Sequence, residues 1–295
     1  MEEEQIRHRF RNLNVWKSGG QRAPHKPLLL LYALGRYQQG KPRFMSYAEI
    51  ESDVKQLIAD FGPPRKSFYP EYPFWHLQSD GIWELQNAEN IKKRKAGSSA
   101  SRAELLRCNV NGGLKKEIYD PVSRDKKLLG EIAMILLEGS FPSTVHEDIL
   151  QAVGIDIEGP SVPGKVRDPR FRDRILRAYE YKCAICGFNV RLGNTLVVVE
   201  AAHIKWHQAG GPDDETNGIA LCSMHHKLFD RGVFTLSDGL IVKVSDLANG
   251  SAGLNEWLMA FHGKQIMPPQ RLSYYPKLKF VSWHVKEVFK GYQRH

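Results

Sequence analysis

Residues 181–231 read YKCAICGFNVRLGNTLVVVEAAHIKWHQAGGPDDETNGIALCSMHHKLFDR, and two pairs of metal-ligand residue types are spaced along this segment. Cys183 and Cys186 form the first pair, and Cys222 and His225 form the second after 35 intervening residues. Two thiolates this close can grip one zinc ion on a tight turn, and a second pair on one helical face completes a tetrahedron. The segment therefore predicts a structural zinc site with four protein ligands.

Three further polar residues occur in order among these ligands. His203 follows the β-branched stretch Thr195–Val199, Asn217 lies in the next loop, and His226 is adjacent to the zinc ligand His225. In this order, residues 168–240 resemble the HNH nucleases of the ββα-metal fold, in which two strands and a helix surround one divalent ion. The resemblance implies that His203 is the general base and that Asn217 holds the backbone beside it or supports the scissile phosphate. It also implies that His226 binds a catalytic Mg²⁺ or Mn²⁺ ion.

One position departs from that family's pattern. Many members carry Asp or His directly before the general base as a second metal ligand, whereas this chain has Ala202. Glu200 is the nearest carboxylate and a candidate for that ligand, although alternation along a strand separates it from His203. A surface or structural role for Glu200 is the alternative. His207 and Asp230 near the motif are further candidates for this ligand, although an ordinary polar role is favoured for each.

The first half of the chain carries the signals of a predominantly helical domain. Periodicity and capping residues predict helices at 28–37, 46–61, 102–109, 128–137 and 145–153. Turn chemistry at Ser79–Gly81 predicts a small hairpin between Phe74–Leu77 and Ile82–Leu85. Gly and Pro residues at 154–166 indicate a linker. The predicted fold class is therefore α+β, with one domain at 1–153 and a ββα-metal HNH nuclease domain with structural zinc at 167–295.

Two segments of the first half, APHKPLLLL at 23–31 and YPFWHLQ at 72–78, resemble the sulfur-binding domain of restriction endonucleases that attack phosphorothioate-modified DNA. A sulfur atom is larger and more weakly hydrated than the oxygen it replaces, so a shallow apolar pocket can prefer it. The resemblance implies a pocket wall of Tyr72, Pro73 and His76, with His25, Lys26 and Arg65 on neighbouring phosphates or base edges. It makes residues 1–153 the DNA-reading domain of a type IV, modification-dependent endonuclease that acts on double-stranded DNA.

Two other functions stay open at this stage. A methylcytosine-dependent HNH endonuclease would use an aromatic cage for a flipped base, and such a cage would consist of Phe68, Tyr69, Tyr72 and Trp75. A catalytically inactive, zinc-stabilised DNA-binding protein is the second alternative, which an intact His203, Asn217 and His226 disfavour. The sequence leaves open the recognised bases, the cut position and whether the chain acts as a homodimer.

The basic composition suits either contact with DNA phosphates or solubility alone, and the sequence argues against a membrane protein. The formal net charge is +9 over 295 residues, and Lys92–Lys95 is a basic stretch suited either to a DNA backbone or to a solvated loop. The longest apolar run, Leu28–Leu34, is far shorter than the ~20 residues that span a bilayer. The acidic start of the chain lacks the features of a secretory signal, so we expect a cytoplasmic location. Three of the four cysteines belong to the zinc motif, which disfavours disulfides.

Overall fold

The computed structural model describes residues 2–15, 21–91, 98–157 and 169–294. The chain divides into two compact units, Met1–Ser18 with Arg22–Pro163 and Gly19–Gln21 with Gly164–His295. The basic stretch at 92–95 and residues 158–166 of the predicted linker lie outside the described residues. No helix in the described part of the chain is long and apolar enough to cross a membrane.

The N-terminal unit is mostly helical with one small antiparallel sheet. Its elements in chain order are α1 (Glu3–Arg11), α2 (His25–Gln38), β1 (Met45–Ser46), α3 (Tyr47–Phe61), α4 (Glu71–His76), β2 (Trp83–Gln86), α5 (Arg102–Arg107), β3 (Asn111–Leu114), α6 (Lys116–Arg124), α7 (Lys126–Ser140) and α8 (His146–Val153). The predicted helical character is confirmed, and α5 begins with a reciprocal capping box between the Ser101 and Glu104 side chains.

Helix α2 is the centre of this unit. Its leucines at 28–31 and Leu34 are fully buried, because α3, α4, α7 and α8 surround the helix. Gly35 permits the close approach of α8, since a Cβ atom there would lie 1.9 Å from the carbonyl oxygen of Val153. The long apolar run in the sequence is therefore a core helix.

Of the two strands predicted for the hairpin at 74–85, only the second forms. The second segment forms β2, but Phe74 to His76 belong to α4 and Leu77–Asp80 continue as a 3-10 turn. Phe74 and Leu77 are both fully buried, and their spacing of three places them on one helical face. Strand β2 pairs instead with β3, in which Gly112 is required because a Cβ atom there would lie 2.6 Å from Trp83 Nε1.

The C-terminal unit has the ββα order that the motif predicts. Its elements are α9 (Pro169–Ala178), β4 (Arg191–Leu192), β5 (Thr195–Leu196), β6 (Val199–His203), β7 (Gly218–Cys222), α10 (Ser223–Asp230), β8 (Phe234–Leu236), β9 (Val242–Val244), α11 (Ala252–Trp257) and α12 (Leu278–Glu287). Strands β6 and β7 pair antiparallel, and α10 follows β7 directly. Helix α9 packs closely on this pair, because a Cβ atom at Gly218 would lie 2.1 Å from the Ile175 side chain.

Candidate functional site

The four predicted zinc ligands converge on one point. The ligand atoms of Cys183, Cys186, Cys222 and His225 all lie within 4.8 Å of one another. His225 Nε2 donates a hydrogen bond to the Trp257 carbonyl oxygen at 2.8 Å, so Nδ1 presents its lone pair to the thiols. Three thiols and one correctly oriented imidazole fit a tetrahedral Zn²⁺ ion. Within the described ranges, this is the one group of three or more such residues whose ligand atoms converge.

Local backbone structure brings the two ligand pairs together. The first pair lies on a turn that Gly187 closes, with a φ of +74° and an N–H that donates to the Cys183 carbonyl oxygen. Cys222 ends β7 and precedes the first turn of α10, where His225 lies. Hydrogen bonds from Cys186 and then Cys222 lower the pKa of the Cys183 thiol despite its burial, which favours a metal-binding thiolate.

His203 lies at the end of β6, opposite Gly218 of β7. Its side chain is buried, and its ring stacks on Phe171 of α9 with the centroids 4.1 Å apart. The Nε2 atom lies 2.7 Å from Asp213 Oδ1. Sequence reasoning did not identify Asp213, because nothing in the sequence distinguishes it from the neighbouring Asp214.

Asn217 ends a short 3-10 turn directly before β7 and is fully buried. Its Oδ1 accepts from the backbone N–H of Lys205 at 2.8 Å. Its Nδ2 donates to the carbonyl oxygens of Lys205 and Pro212 at 3.0 and 2.9 Å. The amide therefore closes the loop that follows His203. Of the two roles that the resemblance implies, these contacts suit holding the backbone better than supporting the scissile phosphate.

His226 lies on α10 between two carboxylates. Its Nδ1 is 2.7 Å from Glu200 Oε2, and its Nε2 is 3.2 Å from Asp230 Oδ2. The indole N–H of Trp206 donates to the other oxygen of Asp230 at 2.9 Å. Burial by itself lowers the pKa of His226, but the two carboxylates, Asp230 first, outweigh it and raise that pKa to about 9.

Glu200 is held in place beside His226. Its Oε1 accepts from the Ser223 hydroxyl at 2.7 Å, while its Oε2 faces the imidazole. The hydrogen bond from His226 and then that from Ser223 lower the pKa of Glu200, so the carboxylate is ionised. Side-chain alternation along β6 separates Glu200 from His203. Glu200 instead contacts His226, which lies on α10, and alternation along the strand does not affect that contact.

The predicted pocket wall lies on the short helix α4. Tyr72 is 49% exposed and stacks on Tyr69, with ring centroids 5.1 Å apart and 18° between the planes. Pro73 is buried beside it, and His76 Nε2 lies 2.7 Å from the Ser99 hydroxyl. The structure thus brings Tyr72, Pro73 and His76 onto one short helix with an exposed aromatic face.

The predicted phosphate-binding residues have different surroundings. Lys26 Nζ lies 2.6 Å from Asp80 Oδ2 and also donates to the Asn14 carbonyl oxygen, so it is already engaged within the unit. Arg65 is exposed and lies near enough to the His25 imidazole to influence its charge. Both DNA contacts stay predictions.

The surroundings of His25 predict a pH-dependent stability. Burial first, and then the charges of Arg65 and Arg22, lower its pKa from 6.5 to about 4. As pH falls, the unfolded chain takes up this proton before the folded one does. The free energy of unfolding should therefore decrease by about 3 kcal/mol between pH 6.5 and pH 4 and be unaffected above that window.

Urea unfolding at several pH values tests this expectation. His25→Gln should lose this part of the pH dependence, whereas His8→Gln, at an exposed position of α1, should retain it. An identical pH dependence in wild type and His25→Gln would contradict the assignment.

Comparisons with known proteins agree with the two-part organisation. The family described as the ScoMcrA-like DNA sulfur-binding domain matches residues 3–158, and the HNH_2 family of HNH endonucleases matches residues 183–237. No curated protein matches the chain.

Solved structures give weaker likenesses. The sulfur-binding domain of ScoMcrA complexed with phosphorothioated DNA is 21% identical, with a TM-score of 0.46, over 50% of this chain and 94% of that one. The corresponding SprMcrA domain complex is 23% identical, with a TM-score of 0.46, over 52% and 95%. The modification-dependent TagI restriction endonuclease is 23% identical, with a TM-score of 0.29, over 45% and 41%. The two family matches identify the domains, whereas the structural likenesses are too weak to do so.

Proposed function

The chain belongs to the family of ScoMcrA-like DNA sulfur-binding domains, and from this premise we propose that it is a type IV restriction endonuclease that binds phosphorothioate-modified DNA and hydrolyses phosphodiester bonds. One observation carries the proposal. A sulfur-binding family match at residues 3–158 stands on the same chain as an HNH domain whose His203, Asn217 and His226 are each held by hydrogen bonds. The first domain would select the DNA and the second would cut it.

Selection for sulfur is proposed to take place at α4. The exposed Tyr72 ring, which stands beside the buried Pro73, offers apolar surface, and a weakly hydrated sulfur is desolvated there at a lower cost than an oxygen. Arg65 supplies a cation for a neighbouring phosphate, and phosphate contacts position DNA without reading its sequence. The difference between one sulfur and one oxygen should be limited to about 1–3 kcal/mol, which is 10- to 200-fold in affinity.

Cleavage is proposed to use His203 as the general base toward water, with Asn217 holding the backbone on either side of Lys205. The His226 imidazole and the Glu200 carboxylate, 2.7 Å apart, are the pair that would hold a catalytic Mg²⁺ or Mn²⁺ ion. When bound, such an ion offsets negative charge on the phosphate and on the leaving oxygen. Asp230 would keep the proton on His226 Nε2, so binding of the ion would displace the other proton, on Nδ1, and make Nδ1 the ligand atom.

The Cys183 cluster is proposed to hold Zn²⁺ and to have no part in the chemistry, because four protein ligands leave the ion no open position. Its thiols must stay reduced to bind the ion, so a cytoplasmic location completes the proposal.

The stacking of Tyr69 on Tyr72 argues against a methylcytosine cage. Their rings already contact each other at a centroid separation of 5.1 Å, so a flipped base would enter between them only after they separate. An exposed stacked pair is better suited to lying against DNA than to enclosing a base.

Matched duplexes test the proposal. We expect cleavage of a duplex that carries phosphorothioate in the presence of Mg²⁺ or Mn²⁺, and little or none of the same duplex unmodified or with 5-methylcytosine. Because the recognised bases are unknown, the substrates should carry one phosphorothioate at every dinucleotide step in turn. Equal cleavage of modified and unmodified duplexes would refute sulfur selection. Cleavage that requires the methyl group would favour a methylcytosine-dependent endonuclease.

A pair of tyrosine variants assigns the selection to α4. Tyr72→Ala should lose the preference for phosphorothioate duplexes, whereas Tyr292→Ala, at an 80% exposed position of the C-terminal unit, should retain it. An unchanged preference in Tyr72→Ala would place sulfur selection elsewhere.

A further inference from the structure

Phe171 and Asp213 both contact the imidazole of His203 and fix its orientation. Its ring stacks on Phe171, with 14° between the ring planes. Its Nε2 atom lies 2.7 Å from Asp213 Oδ1, which is the distance of a strong hydrogen bond to a charged acceptor. An ionised carboxylate has no proton to donate, so Nε2 carries the hydrogen and the lone pair of the neutral ring belongs to Nδ1.

We propose that Asp213 is a positioning residue for His203, one that keeps the proton on Nε2 so that Nδ1 accepts a proton from the attacking water. This inference rests on the proposed nuclease function. One O–H bond of water breaks as its proton moves to Nδ1, and the water oxygen forms a bond to phosphorus. The P–O3′ bond breaks, and its electron pair leaves with the 3′ oxygen, which is then protonated by solvent. The Asp213 carboxylate stabilises the imidazolium that results, without taking its proton.

The loop that carries Asp213 is tied down at several points. Asn217 Nδ2 binds the carbonyl oxygen of Pro212, and Arg174 of α9 donates to the carbonyl oxygen of Asp213 at 2.7 Å. Gly211 allows the loop to fold back, since a Cβ atom there would lie 1.8 Å from the Lys205 carbonyl oxygen. The buried asparagine therefore fixes the backbone next to both His203 and Asp213.

The adjacent acidic residue has a different duty. Asp214 Oδ1 accepts from the backbone N–H and the hydroxyl of Thr216, at 2.8 and 2.6 Å, and so caps the short turn before β7. The two neighbouring aspartates therefore allow a controlled comparison, because the hydrogen bonds above join Asp213 to the imidazole and Asp214 to Thr216. Asparagine caps a turn as well as aspartate does, so Asp214→Asn is a conservative control.

Single-turnover cleavage of the preferred duplex tests the positioning role. Asp213→Asn should lower the cleavage rate by roughly 10²–10⁴-fold, because its amide can donate to Nε2 and favour the wrong tautomer. The KM for DNA and the concentration of Mn²⁺ that gives half-maximal rate should stay unchanged. Asp213→Glu should recover part of the rate, and Asp214→Asn should cleave as wild type does. A wild-type rate in Asp213→Asn would overturn the proposal, and a changed Mn²⁺ requirement would make Asp213 a metal ligand instead.

Nitrogen-15 NMR of the His203 ring gives a readout that does not depend on cleavage. The wild-type protein should show the Nε2–H tautomer, and Asp213→Asn should lose it. A wild-type ring with its proton on Nδ1 would refute the inference even if the enzyme cuts phosphorothioate DNA. The Nε2–H tautomer in a protein that cuts no DNA would instead count against the proposed function alone.

Discussion

Cys222→Ser is expected to unfold the C-terminal unit and to abolish cleavage, while the N-terminal unit stays folded. Cys222 belongs to the cluster whose ligand atoms lie within 4.8 Å of one another, and it joins β7 to α10. Structural zinc sites contribute about 10–16 kcal/mol of apparent binding free energy, which is comparable with the ~5–15 kcal/mol stability of a whole domain. Loss of the ion should therefore leave too little net stability for this unit to fold.

Zinc content and circular dichroism together check this result. Wild type should hold one zinc ion per chain, and a strong chelator should remove both the ion and the unfolding transition of the C-terminal unit. Cys108→Ser is the control, because Cys108 follows α5 in the N-terminal unit and is remote in sequence from the cluster. A folded, active Cys222→Ser protein with full zinc content would disprove the structural role.

The Cys3His cluster was predictable because its ligands are local pairs. Cys183 and Cys186 lie on one turn, and Cys222 and His225 lie close together where β7 meets α10, although Cys222 ends the strand and does not share the predicted helical face. The buried helix α2 and the capping box at Ser101 were predictable for the same reason, since each depends on residues that are close in sequence.

Helix α4 shows where local pattern fails. The apolar residues between Phe74 and Leu77 fit a strand and a helix equally over so short a stretch. Phe74 on α4 and Leu77 in the 3-10 turn that follows are both fully buried, which favours the helical conformation. The partner of β2 is β3, whose two glycines look like a loop in the sequence. Nothing near Phe74 in the sequence indicates that β2 pairs with β3.

The surroundings of the motif side chains depend on contacts across the fold. Asp213 reaches His203 through a loop that the buried Asn217 closes, and neither contact has a spacing signal. Glu200 on β6 contacts His226 on α10, so the position of Glu200 relative to His203 along the strand did not reveal this contact. The sequence therefore predicted the chemical groups, whereas their hydrogen-bond partners required the structure.

His203→Ala is expected to lower the cleavage rate by roughly 10²–10⁴-fold with little change in affinity for phosphorothioate DNA. The substitution removes the nitrogen that we propose accepts the proton of water, whereas the His226 and Glu200 pair remains. Sulfur selection is assigned to the other unit, so binding should survive the loss of cleavage. Single-turnover rates and a DNA titration in Ca²⁺ measure the two effects separately.

His207→Ala is the matched control for this variant. The His207 ring lies 5.9 Å from that of the buried His203 and is partly accessible, and it does not contact Asp213 in the hydrogen bonds described above. A general base can be replaced in part by a small base from solution, so added imidazole should raise the rate of His203→Ala and leave that of His207→Ala unchanged. Full activity in His203→Ala, or an equal loss in both variants with the fold intact by circular dichroism, would show that His203 is not the group that takes the proton.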